Sequence, residues 1–266
     1  ARGEHGDPIA SFDLGRVDQA AIGKANDRVG RDAILTAPAD TAATAAEPGR
    51  NADQMAADWP WLGRYADANA ALLASGQPVD SVWMGDSITE GWQRARPGWF
   101  GVGRINRGIS GQTSPQMLAR MMADVVALRP RSVHIVAGTN DVAGNTGPMR
   151  AEATRDAIGA MVAIAHDAGI QVVVGSIPPA SRFSWVPDAR PAARIMEINV
   201  MLAQMARERG VGWIDYHAAL NDGSGGIAAA HSGDGVHPND AGYAVMEAAA
   251  APVLARMRGR SRRSRR

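Results

Sequence analysis

Ser87 stands in Gly85-Asp86-Ser87-Ile88-Thr89, directly after a short apolar run, Ser81–Met84. A hydroxyl placed there can project into a crevice, beside the free N–H donors of the next helix. The run is not the G-x-S-x-G elbow, because Thr89 stands where the second glycine would be. Asp234-Gly235-Val236-His237-Pro238-Asn239 puts an acid three residues before an imidazole, across a glycine-containing loop. Such an acid can fix the tautomer of His237 and stabilise its imidazolium. Gly108-Ile109-Ser110-Gly111 can offer a backbone N–H to an oxyanion, and Asn140 of Gly138-Thr139-Asn140-Asp141 a side-chain amide. Taken singly, these segments read equally well as a helix cap, an ordinary βα turn, an Asx turn and a polar loop.

The elements around them bring the four segments together. Apolar, β-branched runs bounded by Gly or Pro predict strands at Ser81–Met84, Arg104–Asn106, Ser132–Ala137, Gln171–Ser176 and Val211–Asp215. Helical spacing joins Met117, Met121, Met122 and Val125 after Ser114-Pro115. It also joins Ile158, Met161, Val162 and Ala165, then Ile195, Ile198, Leu202 and Met205. Val245, Ala249, Val253 and Met257 define a last helix from about Asp240. Alternating strands and helices predict an α/β protein with a parallel sheet, whose ligands bind at the carboxyl ends of the strands. Ser87, Gly111, Asn140 and His237 all come after predicted strands, which points to a Ser–His hydrolase.

The chain has 266 residues, 45% of them apolar and 21% charged, enough for a large buried core. Cysteine is absent, which excludes disulfide scaffolds, thiolate zinc sites and a Cys nucleophile. Residues 256–266 hold seven Arg and no acid, so the other 255 residues carry 21 basic against 27 acidic side chains. An acidic body excludes a general nucleic-acid binder. No apolar run is long enough to span a membrane. Residues 1–54, with Phe12 as their only aromatic, read as a low-complexity linker. The body then runs over 55–258, and 259–266 form an Arg-rich tail. The Arg-rich terminus is expected in solvent, with an anchor for anionic lipid or polymer as the sharper reading. The sequence opens at Ala1 without Met or leader, and the expectation is an exported, periplasmic or extracellular protein.

The segments GDSITEGW, NRGISGQT, GTND and DGVHPN resemble, in order, the four blocks of the SGNH (GDSL) hydrolase family. The resemblance extends from about Val79 to Met257 and is nearest to platelet-activating-factor-acetylhydrolase-like and carbohydrate-acetylesterase members. It implies a flavodoxin-like three-layer α/β/α sandwich with a five-stranded parallel sheet of order 2-1-3-4-5. It assigns Ser87 as nucleophile, His237 as base and Asp234 as the residue orienting it. The Ser87 and Gly111 N–H groups and the Asn140 amide become the oxyanion donors. A Ser–His mechanism of this kind predicts activity that rises with pH through about 6–7, the range in which an ordinary imidazole becomes neutral.

The expected activity is hydrolysis of short, acetyl-type esters, with carbohydrate deacetylation as the leading natural role. A thioesterase or lysophospholipase, or an inactive binding module of the same fold, are the alternatives. Trp92, Phe183 and Trp185 are candidate substrate contacts, with Trp99 and Arg182 nearby. His134 and His166 read as structural, and His217, after the fifth strand, as a rival base. The His231, Asp234 and His237 spacing could suggest a metal, but a loop gives no fixed ligand face. No metal and no cofactor is expected, and the partner is a small-molecule or carbohydrate ester.

Overall fold

The computed structural model describes residues 48–263, with side chains over 53–257. The chain divides into compact units 1–48 and 49–266. Almost all of the first unit lies outside the described residues, as does most of the expected linker. The sheet and its helices belong to the second unit.

Five strands form one parallel sheet: β1 Ser81–Gly85, β2 Arg104–Gly108, β3 Ser132–Ile135, β4 Gln171–Gly175 and β5 Gly212–Ile214. Their order is β2-β1-β3-β4-β5, with Ser81 opposite both Arg104 and Ser132. Side chains alternate between two cores, as the period of two requires. Val82 and Met84 of β1, Val133 and Ile135 of β3, and Val172 and Val174 of β4 face one core. Trp83 and Val173 face the other. Because both faces are covered, β1 and β4 read as near-continuous apolar runs, whereas the edge strand β2 carries Arg104, Asn106 and Arg107.

The first core is closed by α4 Ser114–Ala119, α5 Met121–Asp124, α7 Ala151–Asp167 and α8 Pro191–Glu208. The second is closed by α3 Ser87–Ala95, α9 Tyr216–Leu220 and α10 Asp240–Arg263. Short α6 Thr139–Ala143 comes after β3, and α1 Pro48–Ala57 and α2 Ala66–Ser75 precede the sheet. The result is a three-layer α/β/α sandwich, as the resemblance implies.

Three features differ from the sequence reading. Residues 48–54, read as linker, are helical, in keeping with the alanines next to them in the same helix. The methionine stripe after Pro115 is split into α4 and α5 at Arg120, and Met122 is 60% exposed. Arg120 interrupts the stripe because its guanidinium turns inward to buried oxygens of Gln112, Asp124, Gly85 and Arg107. In α10, Met246, Ala250 and Val253 face the core, whereas Val245 and Ala249 are only half-buried. An alanine-rich helix marks its apolar face weakly, which is why the expected stripe meets the buried one only at Val253 and flanks it elsewhere. That helix also runs on to Arg263, past the expected tail boundary.

Candidate active site

The loops after β1, β2 and β3 and the loop entering α10 meet at the carboxyl edge of the sheet. Ser87 is the first residue of α3, and Asp86 is its N-cap, accepting from the Ile88 N–H at 2.9 Å. The strand-to-helix turn thus delivers the hydroxyl at the mouth of the crevice. Ser87 Oγ lies 2.9 Å from His237 Nε2, and His237 Nδ1 lies 2.6 Å from Asp234 Oδ2. The other oxygen, Asp234 Oδ1, accepts from the N–H groups of Val236 and His237 at 2.9 and 2.8 Å. Desolvation alone would raise the Asp234 pKa. The bonds from His237 and Val236 outweigh it and hold the carboxyl at about 2. An ionised carboxylate on Nδ1 leaves Nε2 to accept the serine proton.

The loop carrying this pair is closed on itself. Ser232, which sequence reasoning missed, donates its hydroxyl to the His237 carbonyl at 2.8 Å and accepts from the Gly235 N–H at 2.9 Å. The Asn239 N–H donates to the His231 carbonyl at 2.9 Å. Both nitrogens of His237 are engaged, one with Ser87 and one with Asp234. Among the described residues no group of three His, Asp or Glu side chains could hold a metal ion.

The candidate oxyanion donors, Gly111 and Asn140, stand in the turns after β2 and β3. Gly108 pairs with Gly85 at the strand ends, where a Cβ would run into the Glu90 backbone. Gly111 has φ +78°, a conformation that glycine adopts without steric cost. Glu90, also missed, accepts from the Ser110 N–H at 3.0 Å and ties this turn to α3. Asn140 is buried, and its Nδ2 donates to the Gln112 carbonyl at 3.0 Å and to Asp86 Oδ2 at 3.3 Å. Its Oδ1 accepts from Asn145 Nδ2 at 2.9 Å. The amide is therefore locked in orientation by polar neighbours. Asp86 is 1% exposed; burial pushes its carboxyl up to about 6, against the Ile88 N–H bond and the charge of His237.

Beneath this edge lies a buried polar network. Arg120, with no exposed surface, donates Nε to Gln112 Oε1 at 2.6 Å and Nη1 to Asp124 Oδ2 at 2.8 Å. Its Nη2 reaches the carbonyls of Arg107 and Gly85 at 2.7 and 3.2 Å. One guanidinium thus holds the ends of β1 and β2 and, through Gln112, the turn after β2. Sequence reasoning had no signal for it beyond a cation standing within an apolar stripe.

The aromatic candidates separate. Trp92 has no exposed surface and stacks on Tyr243 at 5.4 Å and on Trp99 at 6.0 Å, so it is a core residue and not a substrate contact. Phe183 is 1% exposed and lies under Trp185, at 4.9 Å. Trp185 is 43% exposed, with its ring 6.3 Å from that of His237. Trp92 and Phe183 are buried because each continues an apolar face, one of α3 and one of the loop before α8. His134 stacks on Trp83 in the core and bonds the Tyr216 hydroxyl at 2.8 Å. His217 is buried, its backbone N–H on Ser176 Oγ at 2.8 Å, while the Ser87 hydroxyl faces His237.

An open cleft of about 510 Å³ over the pair is lined by Ser87, Gly91, Arg94, Ser110, His237 and Tyr243. A cavity of about 530 Å³ at the opposite end of β4 and β5, lined by His166, Arg209, Trp213 and Arg256, contains none of these groups.

A parallel α/β sandwich with a serine, an imidazole and a carboxylate in hydrogen-bonded series at its carboxyl edge defines a hydrolase class. The chain belongs to the GDSL-like lipase/acylhydrolase family, whose model matches residues 83–245, and it is a carboxylic ester hydrolase. It is 38% identical to a Bacteroides fragilis protein provisionally assigned as an acylhydrolase, over 75% of this chain and 98% of that one, with a TM-score of 0.71. A GDSL-like lipase from Bacteroides thetaiotaomicron is 37% identical over 75% and 99%, also with a TM-score of 0.71. Axe2, an acetylxylan esterase from Geobacillus stearothermophilus, shares the fold at 22% identity, over 65% and 92%, with a TM-score of 0.52. None of the curated proteins compared matches the chain. No helix among the described residues is long and apolar enough to cross a membrane.

Proposed function

We propose that the protein is a serine esterase that removes short acyl groups, acetyl above all, from carbohydrate esters through an acyl-enzyme on Ser87. The observation that carries this reading is the Ser87–His237–Asp234 series, with contacts of 2.9 and 2.6 Å. In the first half-reaction Ser87 Oγ bonds to the ester carbonyl carbon while its proton passes to His237 Nε2. The negative oxygen is met by the N–H groups of Ser87 and Gly111 and by Asn140 Nδ2. Asn140 makes this donation by exchanging its longer bond, the 3.3 Å contact to Asp86. Collapse breaks the bond to the alcohol, which leaves with the proton from His237. Water then repeats the sequence on the acyl-enzyme, giving the acid and free Ser87.

A short acyl group is supported by the lining of the cleft. Arg94, Ser110 and His237 sit where a long chain would need an apolar groove, which disfavours the thioesterase and lysophospholipase alternatives. The carbohydrate part is supported by Trp185 beside His237 and by the acetylxylan esterase among the fold's relatives. The test is hydrolysis of p-nitrophenyl esters from acetyl to palmitoyl, with Ser87→Ala in parallel and EDTA as control. The expected result is a peak at acetyl or butyryl, loss in the variant and indifference to EDTA. A peak at long chains would replace the acyl assignment, and an active Ser87→Ala would remove the acyl-enzyme.

A further inference from the structure

The Ser110–Gly111 turn has a second face, away from Ser87. There a cleft of about 300 Å³ is lined by Gln54 and Met55 of α1, Trp61, Ser110, Gln112 and Thr146, with Asn145 at its edge. No lining residue is charged. Trp61 is unusual in two ways. Its backbone is left-handed, φ 54° and ψ 53°, which a bulky residue adopts only where its surroundings impose it. Its indole is 37% exposed rather than buried.

The surroundings that impose it belong to the oxyanion turn and its neighbours. Gln112 Nε2 donates to the Pro60 carbonyl at 2.7 Å, and Gln116 Nε2 to the Trp59 carbonyl at 2.8 Å. Both glutamines are 4% exposed. The Asp58 carboxylate accepts from the N–H groups of Leu62 and Gly63, each at 2.8 Å. Arg64, with its guanidinium 5.8 Å from the Trp61 ring centroid, is paired with Glu90 at 3.4 Å. Strained backbone held by buried side chains, presenting an exposed ring to a cleft, is the pattern of a ligand clamp.

We propose that this cleft is a second carbohydrate subsite, stacking a neutral sugar unit on Trp61 while the acetylated unit lies over Ser87. The inference rests on the esterase reading and deepens it: the substrate is an oligosaccharide of at least two units. Uncharged amides and hydroxyls beside an aromatic face match a polyol's alternating hydroxyl and C–H surface. A fatty chain would bury the amides without partners, and an anionic headgroup would meet no cation in the lining. The subsite also touches the chemistry. Asn145 Nδ2 donates to the Gly111 carbonyl at 3.1 Å and to Asn140 Oδ1 at 2.9 Å. A sugar against Asn145 is thus one side chain from the oxyanion donors, and its binding is available to steady them.

The experiment compares kcat/KM for monoacetylated xylobiose against monoacetylated xylose, and for monoacetylated cellobiose against monoacetylated glucose, so that the second unit keeps its free hydroxyls. The variants are Trp61→Gly, which keeps the left-handed backbone free of strain, and Trp61→Tyr, which restores a ring; thermal unfolding verifies that both fold. The wild type is expected to favour the disaccharide by about tenfold in at least one series, a gain lost in Trp61→Gly and largely regained in Trp61→Tyr. Equal activity on mono- and disaccharide acetates, or a length gain that survives in Trp61→Gly, would overturn the subsite and leave the esterase reading standing. Activity on p-nitrophenyl acetate with none on any sugar acetate would overturn both the carbohydrate reading and the subsite. Calorimetric titration of Ser87→Ala with xylotriose supplies a readout free of turnover: heat of binding that disappears in the Ser87→Ala, Trp61→Gly double variant supports the subsite, and undiminished heat removes Trp61 from it.

Discussion

Replacing Asp86 by Asn removes a charge held almost entirely out of water, 1% exposed. Burial lifts its carboxyl from 3.8 to about 6, helped by Asp141, while the Ile88 N–H and the charge of His237 pull the other way. A rise of about two units corresponds to ~3 kcal/mol against the ionised folded state. The folded protein therefore binds more protons than the unfolded chain between about pH 4 and 6. Wild-type stability falls as pH rises through that window and is level above it as far as this group is concerned. A neutral amide at this position has no such slope, and its oxygen can still accept from Ile88. Asp86→Asn is thus expected to gain ~3 kcal/mol relative to wild type on going from about pH 4 to about pH 7.5, read from urea unfolding at a series of pH values. Activity should move the other way. The variant loses the negative charge facing His237, which favours the imidazolium formed in the transition state. A through-space attraction of this kind is worth about 1–2 kcal/mol, so kcat on p-nitrophenyl acetate should fall about 5- to 30-fold. Parallel pH–stability curves for the two proteins, or an undiminished kcat, would refute the reasoning.

Asn140→Ala is expected to lower kcat by about 10²–10³-fold with KM little changed, since an oxyanion donor acts in the transition state; a loss below tenfold would remove it from the site. Arg120→Met leaves Asp124, itself 1% exposed, without its cation and frees Gln112, so unfolding free energy should drop by ~3–5 kcal/mol. Converting Asp124 to Leu in the same protein should return part of that loss, and additive losses in the double variant would show that no buried pair is being broken. Trp92→Ala should cost ~3–5 kcal/mol of stability, seen as a lower urea midpoint, while KM for ester substrates stays put; a large rise in KM without destabilisation would return Trp92 to the substrate site.

The parallel sheet and the edge on which chemistry sits were determined by the sequence patterns alone, and the three layers and strand order by the family resemblance. Short β-branched runs separated by helices fit buried parallel strands, and that arrangement puts every strand-to-helix turn at one edge. The same logic places Ser87, Gly111 and Asn140 at that edge, because each closely follows a strand, whereas His237 lies beyond α9, in the loop entering α10, and reaches Ser87 through tertiary structure. Which side chains face inward from a loop or an alanine-rich helix was decided only by tertiary structure. Trp92 and Trp185 are equally aromatic in sequence, yet one fills the core and the other stands 43% exposed beside His237. Arg120, Glu90, Ser232 and Trp61 obey no local pattern, because their roles depend on contacts that only the folded chain supplies. Arg120 reaches back to Gly85 and Arg107, and the Trp61 backbone depends on Gln112 and Gln116. Hydrophobic periodicity records whether a residue leaves water, but a polar side chain's direction is set by the donors and acceptors that the completed fold places around it.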